Sequence, residues 1–208
     1  DRRNPAYPAE LQEAGHLSPW DGRVFPLLLL GFSLNLSGVA LEQTIAFYFQ
    51  DRLGLSGVET ARSVGLALVL YGFVAVFIQG FLVRRFSWPP RTLLLLGLPV
   101  GILGFLLLVV AHGFPLLALG LALQGAGTAL AGPGVTAALS LAVGEGEQGL
   151  VAGLNASAQA LGRMLGPVLG TGLYPLYPEA PYLLGAILLL VAHLAHPFNF
   201  RRARIYMR

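Results

Sequence analysis

GEGEQGLVAGLNASAQALGRMLGPVLGTGLY, residues 144–174, is the stretch from which the rest of the chain can be read. Glu145 and Glu147 precede about 25 residues that are apolar or small, enough to cross a bilayer as a helix. Carboxylates suit a helix's first turn, where unpaired N–H groups and the helix dipole favour negative charge. Asn155, Gln159 and Arg163 then recur at every fourth position, so they share one side of the helix. Gly162, Gly166 and Gly170 keep the same interval and, with Pro167, spell GxxxGPxxG. Small residues at that spacing let a neighbouring helix approach closely, and proline bends a membrane helix without ending it. A polar stripe beside a glycine groove predicts a helix that faces other helices and water, not lipid.

The composition agrees with a membrane setting. The 208 residues are 55% hydrophobic and 11% charged, with a mean hydropathy of +0.70, whereas a soluble domain carries roughly 25% charge. All 13 basic residues are arginine, and cysteine is absent. Disulfides, thiol catalysis and zinc–thiolate sites are therefore excluded. The net charge of +3 could suggest nucleic acid, but the arginines sit at the ends of apolar spans, so no nucleic-acid partner is expected.

Residues 1–22 are polar and rich in proline and glycine, as in a loop or linker. The chain begins DRRNPAYP, without an initiator methionine, and reads as a piece of something longer. Six apolar segments follow, at residues 24–49, 64–83, 92–112, 115–143, 149–172 and 181–197. Only helices or closed barrels satisfy backbone polar groups in lipid, and continuous apolar runs, without the alternation of a barrel strand, select helices. The predicted fold is all-α, a bundle of six membrane-spanning helices over residues 23–200 with a polar tail at 201–208. Arginine placement orients it. Ten arginines fall at one side, only Arg52 and Arg62 at the other, and Arg163 lies within the fifth span. Arginine-rich loops face the cytoplasm, so both termini are predicted there. Trp20 and Trp88 at one end, and Tyr48, Tyr174, Tyr177 and Tyr182 at the other, are expected to form aromatic belts.

The run EQGLVAGLNASAQALGRMLGPVLGTGLY resembles the eleventh transmembrane helix of major facilitator superfamily transporters, especially their drug:proton antiporter-like branch. In that branch GxxxGPxxG is the signature of the fifth helix, and the eleventh is its pseudo-repeat partner. GFLVRRF (Gly80–Phe86) followed by Arg91 is similar to the degenerate second copy of the family's GxxxDRxGR loop motif, with Arg84 in the aspartate position and Arg85 after it. The plain alternative is a basic loop anchoring two spans. LALQGAGTALAGPGVTAALSLAV (residues 121–143) resembles the tenth helix, and its Gly132–Pro133–Gly134 core predicts an unwound or kinked segment. LEQTIAFYFQDRLGLS (residues 41–56) looks like the seventh helix and its outer loop.

The resemblance covers about Leu27 to Arg201. It implies the carboxy-terminal half of a twelve-helix secondary transporter, whose partners are the lipid bilayer and an amino-terminal six-helix half. It further implies alternating access in a cell membrane, inner or plasma, with proton-driven efflux of a small amphipathic molecule. No cofactor, metal or enzymatic reaction is expected. No phosphate-binding loop is present, so ATP hydrolysis by this chain is not expected. His193 and His196 have metal-compatible spacing but no evident third ligand. The readings left beside it are a non-transporting membrane subunit, a self-dimerising half-transporter, and an intramembrane enzyme.

Only Glu42 and Arg163 are charged and well inside spans. Such a charge costs roughly 2.5–3.5 kcal/mol on insertion scales, which makes both functional candidates. Glu42 lies about 18 residues into its span and Arg163 about 15 into its own, so comparable depth and an ion pair are expected. Glu42 then carries protons, contacts a cationic substrate, or serves only as half of a static pair. Asn35, Gln43, Gln124, Asn155 and Gln159 complete the candidate set, with interhelical hydrogen bonding as the alternative for each. Gly162, Gly166, Pro167, Gly170, Gly132, Pro133, Gly134, Gly80, Arg84 and Arg85 are assigned to packing and gating. The topology predicts that a reporter active only outside the cytoplasm, fused after Arg208, stays silent; activity there overturns it.

Overall fold

The computed structural model describes residues 17–203, with side chains for residues 17–194. Most of the expected linker and tail thus lies outside the described residues. These fold into six long helices. They are α1 (Phe25–Leu53), α2 (Gly57–Phe86), α3 (Pro90–Val110), α4 (Phe114–Leu141), α5 (Gln148–Leu173) and α6 (Ala180–Ala203). A 3₁₀ turn at Glu145–Glu147 precedes α5, and α2 widens into a π-helix over Ile78–Val83. By length and composition α1 to α4 can each cross a membrane. The polar stripe keeps α5 below that standard, and the apolar part of α6 within the described side chains, Ala180–Leu194, is shorter.

Local sequence explains the helix ends. α2 begins at Gly57, not Val64, because Ser56 and Glu59 form a reciprocal capping box. The Glu59 carboxylate accepts the Ser56 N–H at 3.0 Å while Ser56 Oγ accepts the Glu59 N–H, which satisfies two otherwise orphaned donors. α1 stops at Gly54, whose φ of 62° is the left-handed closure that glycine reaches without a β-carbon clash.

Two seams of small residues set the packing. A β-carbon on Gly127 of α4 would lie 2.6 Å from the Gly101 nitrogen of α3, and one on Gly97 would lie 2.8 Å from the Ala131 nitrogen. Gly134 of α4 packs on Leu93 and Leu94 of α3. The second seam joins α5 to α1. β-carbons at Gly162, Gly166 and Gly170 would meet Phe32 O at 2.5 Å, Val39 Cβ at 2.8 Å and Ala40 O at 2.8 Å. The glycine groove read in the sequence therefore receives α1. The unwinding expected at Gly132–Pro133–Gly134 does not occur, since α4 is continuous through Pro133. Gly120, Gly127 and Gly134 are spent on contact with α3, and Gly125 on Tyr71 of α2, while Gly132 faces open space.

α2 is held differently. In Gly57–Phe77 only Thr60, Val64 and Ala67 are buried, and Leu66, Val69, Phe73, Val76, Phe77 and Phe81 are exposed. An apolar face of that extent suits lipid or another helix. At the arginine-rich end Arg23 pairs with Asp21 at 2.8 Å and Glu147 at 3.1 Å, fastening α1 to the turn before α5. Its guanidinium holds both carboxyls below their usual range.

The largest buried side chains gather toward the opposite end, where Tyr48, Phe49, Phe105 and Tyr182 are fully enclosed. This corrects the aromatic-belt expectation for Tyr48 and Tyr182. Their rings meet at 4.5 Å, and Tyr48 donates to Leu108 O at 2.8 Å, so each hydroxyl finds its partner inside the bundle. Gly127→Ala should cost about 1–3 kcal/mol of stability, as overpacked cores do. Gly132→Ala, on the same helix but facing open space, should be neutral or slightly stabilising. Thermal unfolding of the two purified variants checks the contrast, and equal melting would refute it.

Candidate functional site

A cavity of about 410 Å³ opens at mid-depth between α1, α2, α4 and α5. α1 contributes Gly31, Asn35, Gly38 and Glu42, which recur every three or four residues and so line one face. α4 contributes Leu121, Gln124, Thr128 and Gly132 at the same spacing, followed by Pro133 and Thr136. Leu68, Tyr71 and Gln79 come from α2, and Gln159 from the stripe of α5. Leu34, Val39 and Val135 add apolar wall.

Five of the seven predicted chemistry-bearing residues stand in or beside this cavity: Asn35, Glu42, Gln124 and Gln159 line it, and Asn155 lies just behind Gly31. A β-carbon on Gly31 would lie 3.2 Å from Asn155 Oδ1, and that oxygen is buried without a hydrogen-bond partner. Gln43 is exposed and lies outside the lining. Arg163 also stays out, donating from Nη1 to Asn35 Oδ1 at 3.1 Å. Asn35 in turn donates to Gly31 O at 2.9 Å.

The ion pair expected between Glu42 and Arg163 is absent. The pairs among the described residues are Arg23–Asp21, Arg23–Glu147 and Arg52–Glu179. The cause is register. Gly162 seats α5 against Phe32, Asn35 and Leu36, which places Arg163 level with Asn35. Glu42 lies seven residues further along α1, roughly 10 Å at 1.5 Å per residue. Glu42 is therefore the cavity's one charged lining residue and has no ion-pair partner among the described residues.

Sequence reasoning missed the polar network at the end opposite the arginine-rich one. Arg52 donates to Tyr48 Oη at 3.1 Å and to Val109 O at 3.1 Å, and it pairs with Glu179. Thr44 and Tyr182 join their hydroxyls at 3.1 Å, and Tyr174 donates to Asp51 Oδ2 at 2.6 Å. The network fastens α1 to the last turn of α3, the end of α5 and the start of α6. Its one sequence signal was the four-residue step from Tyr48 to Arg52; Glu179 stood in a loop with nothing to mark it. Gly80, Arg84 and Arg85 fall in and just after the π-helical segment, away from the cavity, and Arg85 lies over the Phe86 ring at 6.0 Å.

The family model for the Major Facilitator Superfamily matches residues 27–205. The chain belongs to the major facilitator superfamily. A curated relative, major facilitator superfamily domain-containing protein 10 of Mus musculus, is 33% identical over 159 residues, which is 74% of this chain and 32% of the relative. A crystal structure of a mutant peptide transporter, POT, in complex with sulfate superposes with a TM-score of 0.70 at 20% identity, covering 82% of this chain and 36% of that one. The chain thus spans about a third of the length of each, and the likeness to the peptide transporter is one of fold. In this member of the superfamily the GxxxGPxxG helix is α5 and its groove is filled by α1.

The Arg52 network yields a stability prediction. The Arg52 and Glu179 side chains are 22% and 11% exposed, between an open surface pair and a closed core pair. Glu179→Gln should cost about 1–3 kcal/mol, since it strands a half-buried guanidinium. Arg52→Lys should cost a similar amount, because one ammonium cannot span three separated acceptors. Unchanged melting of both purified variants would show the network to be inert.

Proposed function

We propose that the chain is the carboxy-terminal half of a proton-coupled secondary transporter of the drug:proton antiporter-like branch, moving a small amphipathic molecule out of the cell by alternating access. The observation that carries this reading is Glu42, a carboxylate at membrane depth that lines a cavity and has no ion-pair partner among the described residues. A carboxylate so placed is tolerated when it is protonated or when a cation sits beside it. Exchange between those two conditions is what couples a proton gradient to a solute. Membership of the superfamily supports transport in general.

The half-transporter reading draws on two facts. Each relative is about three times as long as the matched segment. α5 also turns Leu161, Met164, Leu165 and Val168 outward, an apolar face against which a second six-helix bundle would pack. The arginine bias supports both termini on the cytoplasmic side of a cell or inner membrane, and the reading takes the amino-terminal half and the bilayer as partners. Arg163 holds Asn35 and the α1–α5 seam, a structural task.

Glu42→Gln in the full-length transporter should keep folding but abolish the response of transport to an imposed pH gradient in proteoliposomes. Glutamine keeps the shape and cannot titrate. No buried partner is stranded, so stability should change by less than about 1 kcal/mol. Arg163→Gln should retain the gradient response. A Glu42→Gln protein that still answers the gradient in full would refute the coupling role.

A further inference from the structure

We infer that the cavity selects protonated amines that carry N–H donors over quaternary ammonium ions, and that Gln124 with Glu42 makes the distinction. The inference deepens the transporter reading above and rests on it.

Charge comes first. Glu42 is the only charged side chain on the lining, and the nearest arginine by sequence pattern, Arg163, is spent on Asn35 outside it. An anionic ligand would meet an unpaired carboxylate with no cation beside it. A neutral ligand would desolvate that carboxylate without replacing its water. A monocation alone gains from the pocket, and Leu34, Leu68 and Leu121 supply the apolar wall for its organic part.

Hydrogen-bond capacity narrows the cation. Two lining residues are already committed, Asn35 to Gly31 and Arg163, and Thr136 to Gly132 O. Gln124 is not. It is 3% exposed, its Oε1 has no partner, and no hydrogen bond of its carboxamide occurs among the described residues. A β-carbon on Gly101 would lie 3.3 Å from Oε1, so the oxygen rests against a glycine that offers it nothing. Rotation about the last side-chain bond, a broad torsion, turns either end of the amide to the cavity. A buried carbonyl without a donor is costly, and a ligand N–H removes that cost.

The aromatic content argues the same way. Quaternary ammonium ions are held by cages of several aromatic faces, and this lining has one aromatic residue, Tyr71. Its acceptors are a carboxylate, the amides of Gln124, Gln79 and Gln159, and the hydroxyls of Tyr71 and Thr128. Such a set rewards N–H groups and gives nothing extra to N–CH₃ groups. Asn155 plays no part, because its orphaned oxygen lies behind Gly31 and off the lining.

The test is titration calorimetry on the full-length transporter with phenylpropylamine and its mono-, di- and trimethylated ammonium analogues. The three members bearing an N–H should bind, and the trimethyl member should bind about tenfold more weakly, the loss of one charge-assisted hydrogen bond. Gln124→Met should narrow that gap without weakening the trimethyl member, and Gln124→Glu, which keeps an acceptor there, should preserve it. Trimethyl binding equal to or tighter than the rest, or an undiminished gap in Gln124→Met, overturns the inference. If no ammonium binds yet another solute still moves with a pH gradient, the substrate class falls and the transporter reading stands. If the amines bind in the expected order and no solute answers a gradient, the site stands and the transporter reading falls.

Discussion

Everything in this bundle depends on backbones touching where glycine permits it. Between α3 and α4 the main chains meet at Gly97, Gly101, Gly120 and Gly127, and between α1 and α5 at Gly162, Gly166 and Gly170. In lipid, an apolar side chain gains little by leaving the tails for a neighbouring helix, so helix association relies on close van der Waals contact. Removing the β-carbon is the direct way to obtain it. The same contacts fix register, since a glycine groove accepts its partner at one height. That register sets Arg163 beside Asn35 and leaves Glu42 alone in the cavity.

The two ends of the molecule are fastened by different means. At the arginine-rich end Arg23 bridges Asp21 and Glu147, an exposed contact of modest worth. At the other end Arg52 gathers Tyr48, Val109 O and Glu179 around fully buried tyrosines. α2 shares in neither. It rests on α4 through Gly125 and Tyr71, exposes most of its apolar side chains, and carries the π-helical turn that contains Gln79 of the cavity wall. Helices seamed by glycine and tied by Arg52 thus stand beside one helix held mainly from a single side.

Much of this could be read from spacing. The four-residue interval of Gly162, Gly166 and Gly170 announced a groove, and α1 fills it. Asn35 and Glu42 are seven residues apart and Gln124 and Thr128 four, so each pair shares a helix face by periodicity, and those faces converge on one cavity. The failures have one origin. Depth counted in residues put Glu42 level with Arg163, but relative height belongs to the contact between two helices, not to either helix. The glycines of α4 looked like a break because glycine and proline weaken isolated helices; packed against α3, the same residues hold a continuous helix. Tyr48 and Tyr182 looked interfacial because tyrosine often is, and partners from α1, α3 and α6 drew them inside.

What the sequence determined by itself was what depends on one segment at a time: the long apolar helices, the glycine groove, the polar stripe, and the lone carboxylate of the first span. Those follow from hydropathy and from the 3.6-residue turn, properties of a local stretch of chain. What only the tertiary structure decided was who meets whom. Arg163 bonds to Asn35, Arg52 to Glu179, and Gln124 is left with an unpaired oxygen against Gly101. Each depends on the height and rotation at which two helices lock, and close contact between main chains sets both.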